Sequence, residues 1–194
     1  MPSVLPAEPV RVDQPTSYAA PFDEYLALPE GTRAEYLDGT IYLSPAPRPR
    51  HQDVVQNLYA ALRDCAAEHG GYAGLAPYDV FLEPERAVQP DVFYLSAERR
   101  GLISERGVEG APTLVAEVLS ASTAHHDLMR KRRAYEEAGV LEYWVLDPGD
   151  KAVEVLALTD GGLWARARVY ESGAVASAAL AGFEAEAAGL FARP

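Results

Sequence analysis

Leu114-Val115-Ala116-Glu117-Val118-Leu119 sets one acid inside an apolar run, and a second run, Asp91 to Leu95, opens on Gln89-Pro90-Asp91. Both runs are short, rich in Val, Leu and Phe, and bounded by turn residues, so each reads as a buried strand. A carboxylate in a strand core is costly unless it is paired, protonated or on a metal. Two neighbouring strands that each supply one acid make an oxygen-donor site for a hard cation such as Mg²⁺. That reading requires the strands to be adjacent.

Around these runs the chain reads as one domain. Its 194 residues suffice for a single sizeable core, and 48% hydrophobic with 24% charged residues is an ordinary globular balance. Residues 1–20 hold prolines and no helical periodicity, and are expected to form a loose arm ahead of a domain spanning 21–194. A short helix is predicted over Phe22 to Leu28. Asp38-Gly39 between Ala34-Glu35-Tyr36-Leu37 and Thr40-Ile41-Tyr42-Leu43 signals a hairpin. Val54, Val55, Leu58, Ala61, Leu62 and Cys65 share one face of a helix from His51 to Glu68, stopped at Gly70-Gly71. The strands Tyr78 to Leu82, Asp91 to Leu95 and Thr113 to Leu119 follow. A second helix then runs from Ala124 to Ala138, with N-cap residues at Ser120 to Thr123. The strand Glu142 to Leu146 comes next, and a hairpin crosses Asp160-Gly161-Gly162. Ala179 to Phe191 fits either a strand or a helix. This order, helix, three strands, helix, strand, with β hairpins at both ends, predicts an α/β (α+β) fold.

Charge and composition narrow the function. A net charge of −12 argues against a protein coated in basic surface. Any basic face must be local, with Arg48 and Arg50 or Arg130-Lys131-Arg132-Arg133 as candidates. The single cysteine, Cys65, excludes an internal disulfide or a cysteine zinc cluster and is expected to be a buried filler. With no secretory signal and no membrane-length apolar run, a soluble cytoplasmic protein is expected.

The residues Glu35, Asp38-Gly39, His51, Pro90-Asp91, Glu117-Val118-Leu119-Ser120, Asp127, Lys131, Tyr135 and Gly139 through Pro148 resemble the Uma-two family over roughly Phe22 to Phe191. That resemblance implies a restriction-endonuclease-like, PD-(D/E)XK core: a mixed central sheet flanked by helices. It implies a metal-dependent endonuclease acting on phosphodiester bonds of DNA. Asp91 and Glu117 would be the acids that hold Mg²⁺ or Mn²⁺. Leu119 stands where the motif has its lysine, and the resemblance moves that role to Lys131. Only two lysines occur, Lys131 and Lys151. One kept amid arginines suits a need for a compact ammonium. Glu35 is expected as a further ligand or water-holder, and His51 as a contact to phosphate or the scissile region. Lys131 has a bland alternative, an i,i+4 pair with Asp127. His125 and His126, adjacent on a helix, point in different directions and read as a solvated helix start. Tyr143 and Trp144 read as core. A homodimer is expected from candidate exposed strand edges. The rival reading is a catalytically silent nuclease-fold binding or regulatory module, in keeping with the acidity and the missing strand lysine.

Overall fold

A computed structural model describes residues 8–82, 85–120, 125–165 and 168–193, with side chains described throughout except at 125–127. In chain order the elements are β1 (Thr16–Ala19), α1 (Phe22–Leu26), β2 (Ala34–Leu37), β3 (Thr40–Leu43) and α2 (Pro49–His69). Next come β4 (Tyr72–Leu75), β5 (Val80–Leu82), β6 (Arg86–Val88), β7 (Val92–Leu95), β8 (Val108–Glu109) and β9 (Leu114–Val118). The rest are α3 (His125–Ala138), β10 (Glu142–Asp147), β11 (Ala152–Ala157), β12 (Arg168–Tyr170), β13 (Ala174–Ala176), β14 (Glu184–Glu186) and α4 (Ala187–Leu190).

The strands form two six-stranded sheets and a separate hairpin. The first sheet runs β1-β3-β2-β6-β5-β8, and the second β12-β11-β10-β9-β7-β4. In the second, β9 and β10 are parallel and every other pairing is antiparallel, so it is the mixed sheet expected. The parallel pair needs a crossover, and the segment containing α3 supplies it. One face of this sheet packs under α2, α4 and the β13–β14 hairpin, where Leu58, Leu62, Trp144 and Leu146 are fully buried. The other face packs on α3 and the first sheet through Val115, Tyr135, Tyr143 and Leu156.

Local chemistry explains the elements that hold the site. Asp38 (φ 50°) and Gly39 (φ 78°) both take left-handed conformations, which is the geometry a two-residue hairpin needs. Pro49 opens α2 where its missing N–H costs nothing, and Gly70 (φ 72°) closes it. The helix is therefore longer than expected, by two residues at the front and one at the back.

Three departures from expectation have physical causes. Thr16–Ala19, expected in the loose arm, pairs antiparallel with β3 along an edge where all four of its residues stay exposed, so no apolar pattern announces it. Strand β4 escapes the sequence pattern because Gly74 interrupts it. That glycine sits against the ring of Phe93 on β7, where a Cβ would come within 2.2 Å of Cζ. The N-terminal hairpin is not an appendage but the middle of the first sheet, through β1 and β6. The tail forms both a strand and a short helix. The expected N-caps at Ala121, Ser122 and Thr123, and the side chains of His125, His126 and Asp127, lie outside the described residues.

Candidate active site

Val88 ends β6 in the first sheet and Val92 begins β7 in the second, so Gln89-Pro90-Asp91 is the link by which the chain passes between sheets. Strand β7 pairs antiparallel with β9, Val92 opposite Ala116. Continuing that register brings Asp91 beside Glu117, and the Val118 N–H donates to Asp91 Oδ2 at 2.9 Å. The condition on which the two-acid reading depends, adjacent strands, holds.

Four elements and this link converge here. Glu35 comes from β2, His51 from the first turn of α2, Asp91 from the link, Glu117 from β9 and Lys131 from α3. The Lys131 Nζ donates to Glu117 Oε1 at 2.7 Å and to Glu35 Oε1 at 2.8 Å. His51 Nε2 lies 3.0 Å from Asp91 Oδ2. All five residues named from the sequence line one cavity of about 220 Å³. Leu119 contributes no charge, and the ammonium that its position lacks arrives from the helix instead.

Two residues that the sequence gives no role complete the arrangement. Tyr135, one helical turn past Lys131, donates its hydroxyl to Glu117 Oε1 at 2.8 Å. Gln89 donates its backbone N–H to Glu35 Oε1 at 2.8 Å and its side-chain amide to Asp79 Oδ1 at 2.8 Å. Lys131 and Tyr135, four apart on one helix, share a face, and that spacing is the one local sign that they serve a common partner.

Among the described residues each carboxylate spends one oxygen on the protein and keeps the other. Asp91 Oδ2 takes His51 and Val118, Glu117 Oε1 takes Lys131 and Tyr135, and Glu35 Oε1 takes Lys131 and Gln89. Within that same set, Asp91 Oδ1, Glu117 Oε2 and Glu35 Oε2 receive no protein donor.

Burial and charge set the protonation. Burial pushes the Glu117 carboxyl up to about 8, against the pull of Lys131 and with the push of Asp91 and Glu35. Burial would raise Asp91 too, but the His51 hydrogen bond and charge, then Lys131 and the Val118 N–H, hold it below the usual carboxylate range. Lys131 loses solvation, yet Glu117, Glu35 and Asp91 keep its ammonium well above its ordinary value. Lys131 is thus held as a positive charge between two carboxylates.

The donor set is hard oxygen, which suits Mg²⁺ or Mn²⁺. Among the described residues no three His, Cys, Asp or Glu side chains cluster as a cage for an ion. Mg²⁺ does not need one, since it is commonly held by one or two carboxylates together with waters and substrate phosphate. Asp91 and Glu117 fit that requirement.

The other sequence expectations resolve by burial. Tyr143 and Trp144 are sealed in the two cores, 1% and 0% exposed, so neither is free to stack on a base. Cys65 is a buried free thiol in the α2 core. Of the basic candidates, Arg50 donates to the Pro148 carbonyl, Arg133 pairs with Glu137, Arg130 lies over the Tyr42 ring and Lys131 is buried. Within the run from Arg130 to Arg133, Lys131 alone is buried, and Arg130 and Arg133 are exposed at the surface. No helix among the described residues is long and apolar enough to cross a membrane.

Comparison with known proteins bears on the family and the fold. A family model described as "Uma2: Putative restriction endonuclease" matches residues 22–188. A crystal structure from Anabaena variabilis, described as "a putative nuclease belonging to DUF820", superposes with a TM-score of 0.73 at 19% identity. The match covers 88% of this chain and 96% of that one, so the fold is shared nearly end to end. No curated protein matches the chain.

Proposed function

The chain belongs to the Uma2 family, and from that premise we propose that it is a metal-dependent phosphodiesterase whose substrate is DNA. The observation that carries the reading is the convergence of Asp91 and Glu117 on one cavity, each with an oxygen to spare, beside a lysine held as an ammonium.

Asp91 and Glu117 would hold Mg²⁺ or Mn²⁺, which when bound neutralises phosphate charge and makes a coordinated water more acidic. Glu117 gives up its proton in the process, because its raised affinity for one comes from burial beside other carboxylates. Lys131 faces the same cavity and stabilises negative charge on the phosphoryl oxygens as water adds to phosphorus and the P–O ester bond breaks. Glu35 keeps Lys131 from swinging out, and Gln89 keeps Glu35 in place. His51 orients Asp91 through its Nε2.

Two copies acting together are part of the reading. Among the described residues β1 and β12 are end strands of the two sheets, β1 exposed along its length and Val169 on β12 62% exposed, which favours pairing with a second copy. Sedimentation equilibrium at tens of micromolar is expected to give a dimer, and a monomer removes this element of the proposal.

A second reading keeps the fold without turnover. It is favoured by the way Lys131 bridges Glu35 and Glu117, which neutralises the acids that a metal would otherwise need to balance. A nicking assay on supercoiled DNA with Mg²⁺ or Mn²⁺ separates the two. Metal-dependent nicking that disappears in Glu117→Gln supports the enzyme, and an inert wild type leaves the binding module.

A further inference from the structure

The cavity that holds the acids adjoins a second one of about 430 Å³, with Arg48, His51 and Ser120 lining both. Three arginines border this groove, Arg33, Arg48 and Arg50. Arg50 is committed to the Pro148 carbonyl. Neither Arg33 nor Arg48 has a side-chain hydrogen bond or carboxylate partner among the described residues, and Arg33 Nε is buried without an acceptor. Asp13 lines the same cavity but forms no ion pair with either.

In a chain of net charge −12 this is unexpected. Carboxylates outnumber cations, yet two guanidinium groups beside an acid cluster are left without one. The cost of a charged donor withdrawn from water with no acceptor falls on the Arg33 Nε, for which a ligand anion would supply the acceptor, while Arg48 is exposed and its charge is free to meet the same anion. The first turn of α2 adds to this. Arg48 caps the helix without a side-chain hydrogen bond to its N–H groups and no acid stands in the first turn, so, although Pro49 has no N–H and the His51 N–H is taken by the Arg48 carbonyl, the positive end of a 21-residue helix adjoins the groove. His51, in that turn and 9% exposed, has its Nδ1 unpartnered as well.

We infer that Arg33, Arg48 and the first turn of α2 form a phosphodiester-binding subsite beside the acid cluster, which holds a backbone phosphate flanking the one to be cleaved. The identity of the anion rests on the phosphodiesterase reading, whereas the subsite itself rests on the unpartnered cations. A guanidinium suits this task because its planar fork grips two phosphate oxygens at once. It also resolves how so acidic a protein could take a polyanion: attraction is confined to the groove, and the strand is steered to the acids.

The test is anisotropy of a fluorescent 12-nucleotide single-stranded DNA with Ca²⁺ present, using wild type, Arg33→Gln, Arg48→Gln and the double variant. Each single change is expected to raise Kd about tenfold, as removal of one charge-assisted hydrogen bond implies. The slope of log Kd against log salt should become shallower by about 0.7 for each phosphate no longer neutralised by an arginine. Arg48 is exposed, so its variant keeps the fold, and Arg33→Lys guards against a packing defect at Arg33 by retaining charge and recovering part of the affinity. Unchanged Kd in the double variant, or a wild type that fails to bind at low salt, overturns the subsite. The two proposals fail separately. A wild type that nicks DNA with the same kcat/KM as the double variant overturns the subsite and leaves the enzyme. An inert wild type whose DNA affinity depends on both arginines upholds the subsite and overturns the enzyme.

Discussion

Glu117 on β9 and Glu142 on β10 occupy adjacent parallel strands, are 6% and 1% exposed, and point to opposite faces of one sheet. Glu142 is closed in by neutral donors. Trp144 Nε1 and the Ser177 hydroxyl donate to Oε2, and the N–H groups of Ala178 and Ala179 donate to Oε1. Both oxygens are used, and the carboxylate ties the segment before the β13–β14 hairpin's second strand to the sheet. Among the described residues Glu117 uses one oxygen, on a tyrosine and an ammonium, and the residue lines a cavity. Burial alone therefore says little about whether an acid is functional. The donors that surround it, and whether they leave an oxygen over, separate a structural carboxylate from a reactive one.

Exchanging each acid for its amide should split the two roles by the largest margin available. Glu117→Gln is expected to lower DNA cleavage by on the order of 10³-fold or more with no loss of melting temperature at neutral pH without metal, since burial already keeps the carboxyl it replaces largely protonated there. Glu142→Gln should do the reverse. Its amide nitrogen would face donors in place of an acceptor, costing about 2–4 kcal/mol of stability, with kcat in the surviving fold unchanged. Equal stability losses in both variants would erase the distinction.

Lys131 sharpens it next. Lys131→Ala and Lys131→Arg should both lower cleavage roughly 10²-fold or more, because the guanidinium of Arg does not fit between two carboxylates set for a compact ammonium. Near-normal turnover in Lys131→Arg would show that position 131 needs only charge.

The same contrast makes one acid legible in the sequence and hides the meaning of the other. Glu117 stands out as a lone acid amid Val and Leu, and Asp91 as the acid of a Pro-Asp strand start. Glu142 opens an equally apolar strand, Tyr143 to Leu146, yet most of its donors come from Ser177, Ala178 and Ala179, far along the chain in a segment with no periodicity. No local pattern can bring those together. The helices and the Asp-Gly hairpin are readable because caps, glycines and apolar spacing are local. Strands β4 and β6 are not, being short, with a glycine or an arginine where alternation is needed. Lys131 is placed by resemblance, but its second partner, Glu35, depends on the first sheet folding over the second. Tyr135, Gln89 and Arg33 acquire roles only once that has happened.

A smaller effect follows from protonation. Glu117 holds its proton more tightly folded than unfolded, with the folded value near 8 against 4.5 for the free side chain. Both states are protonated below about 4.5, so its contribution to stability is retained there and declines as pH rises from about 4.5 to about 8. Wild-type stability without metal should therefore fall over that window relative to Glu117→Gln, as read by denaturant unfolding at a series of pH values. Parallel curves for the two proteins would mean that Glu117 is ionised at no cost.

Calorimetric titration of Mn²⁺ into wild type, Asp91→Asn, Glu117→Gln and Glu142→Gln at constant pH tests the central claim most directly. Wild type and Glu142→Gln are expected to bind, and Asp91→Asn and Glu117→Gln to lose binding, because each of these two changes removes a carboxylate that the metal needs ionised, at nearly constant shape. Mn²⁺ binding that persists undiminished in both Asp91→Asn and Glu117→Gln would contradict the claim.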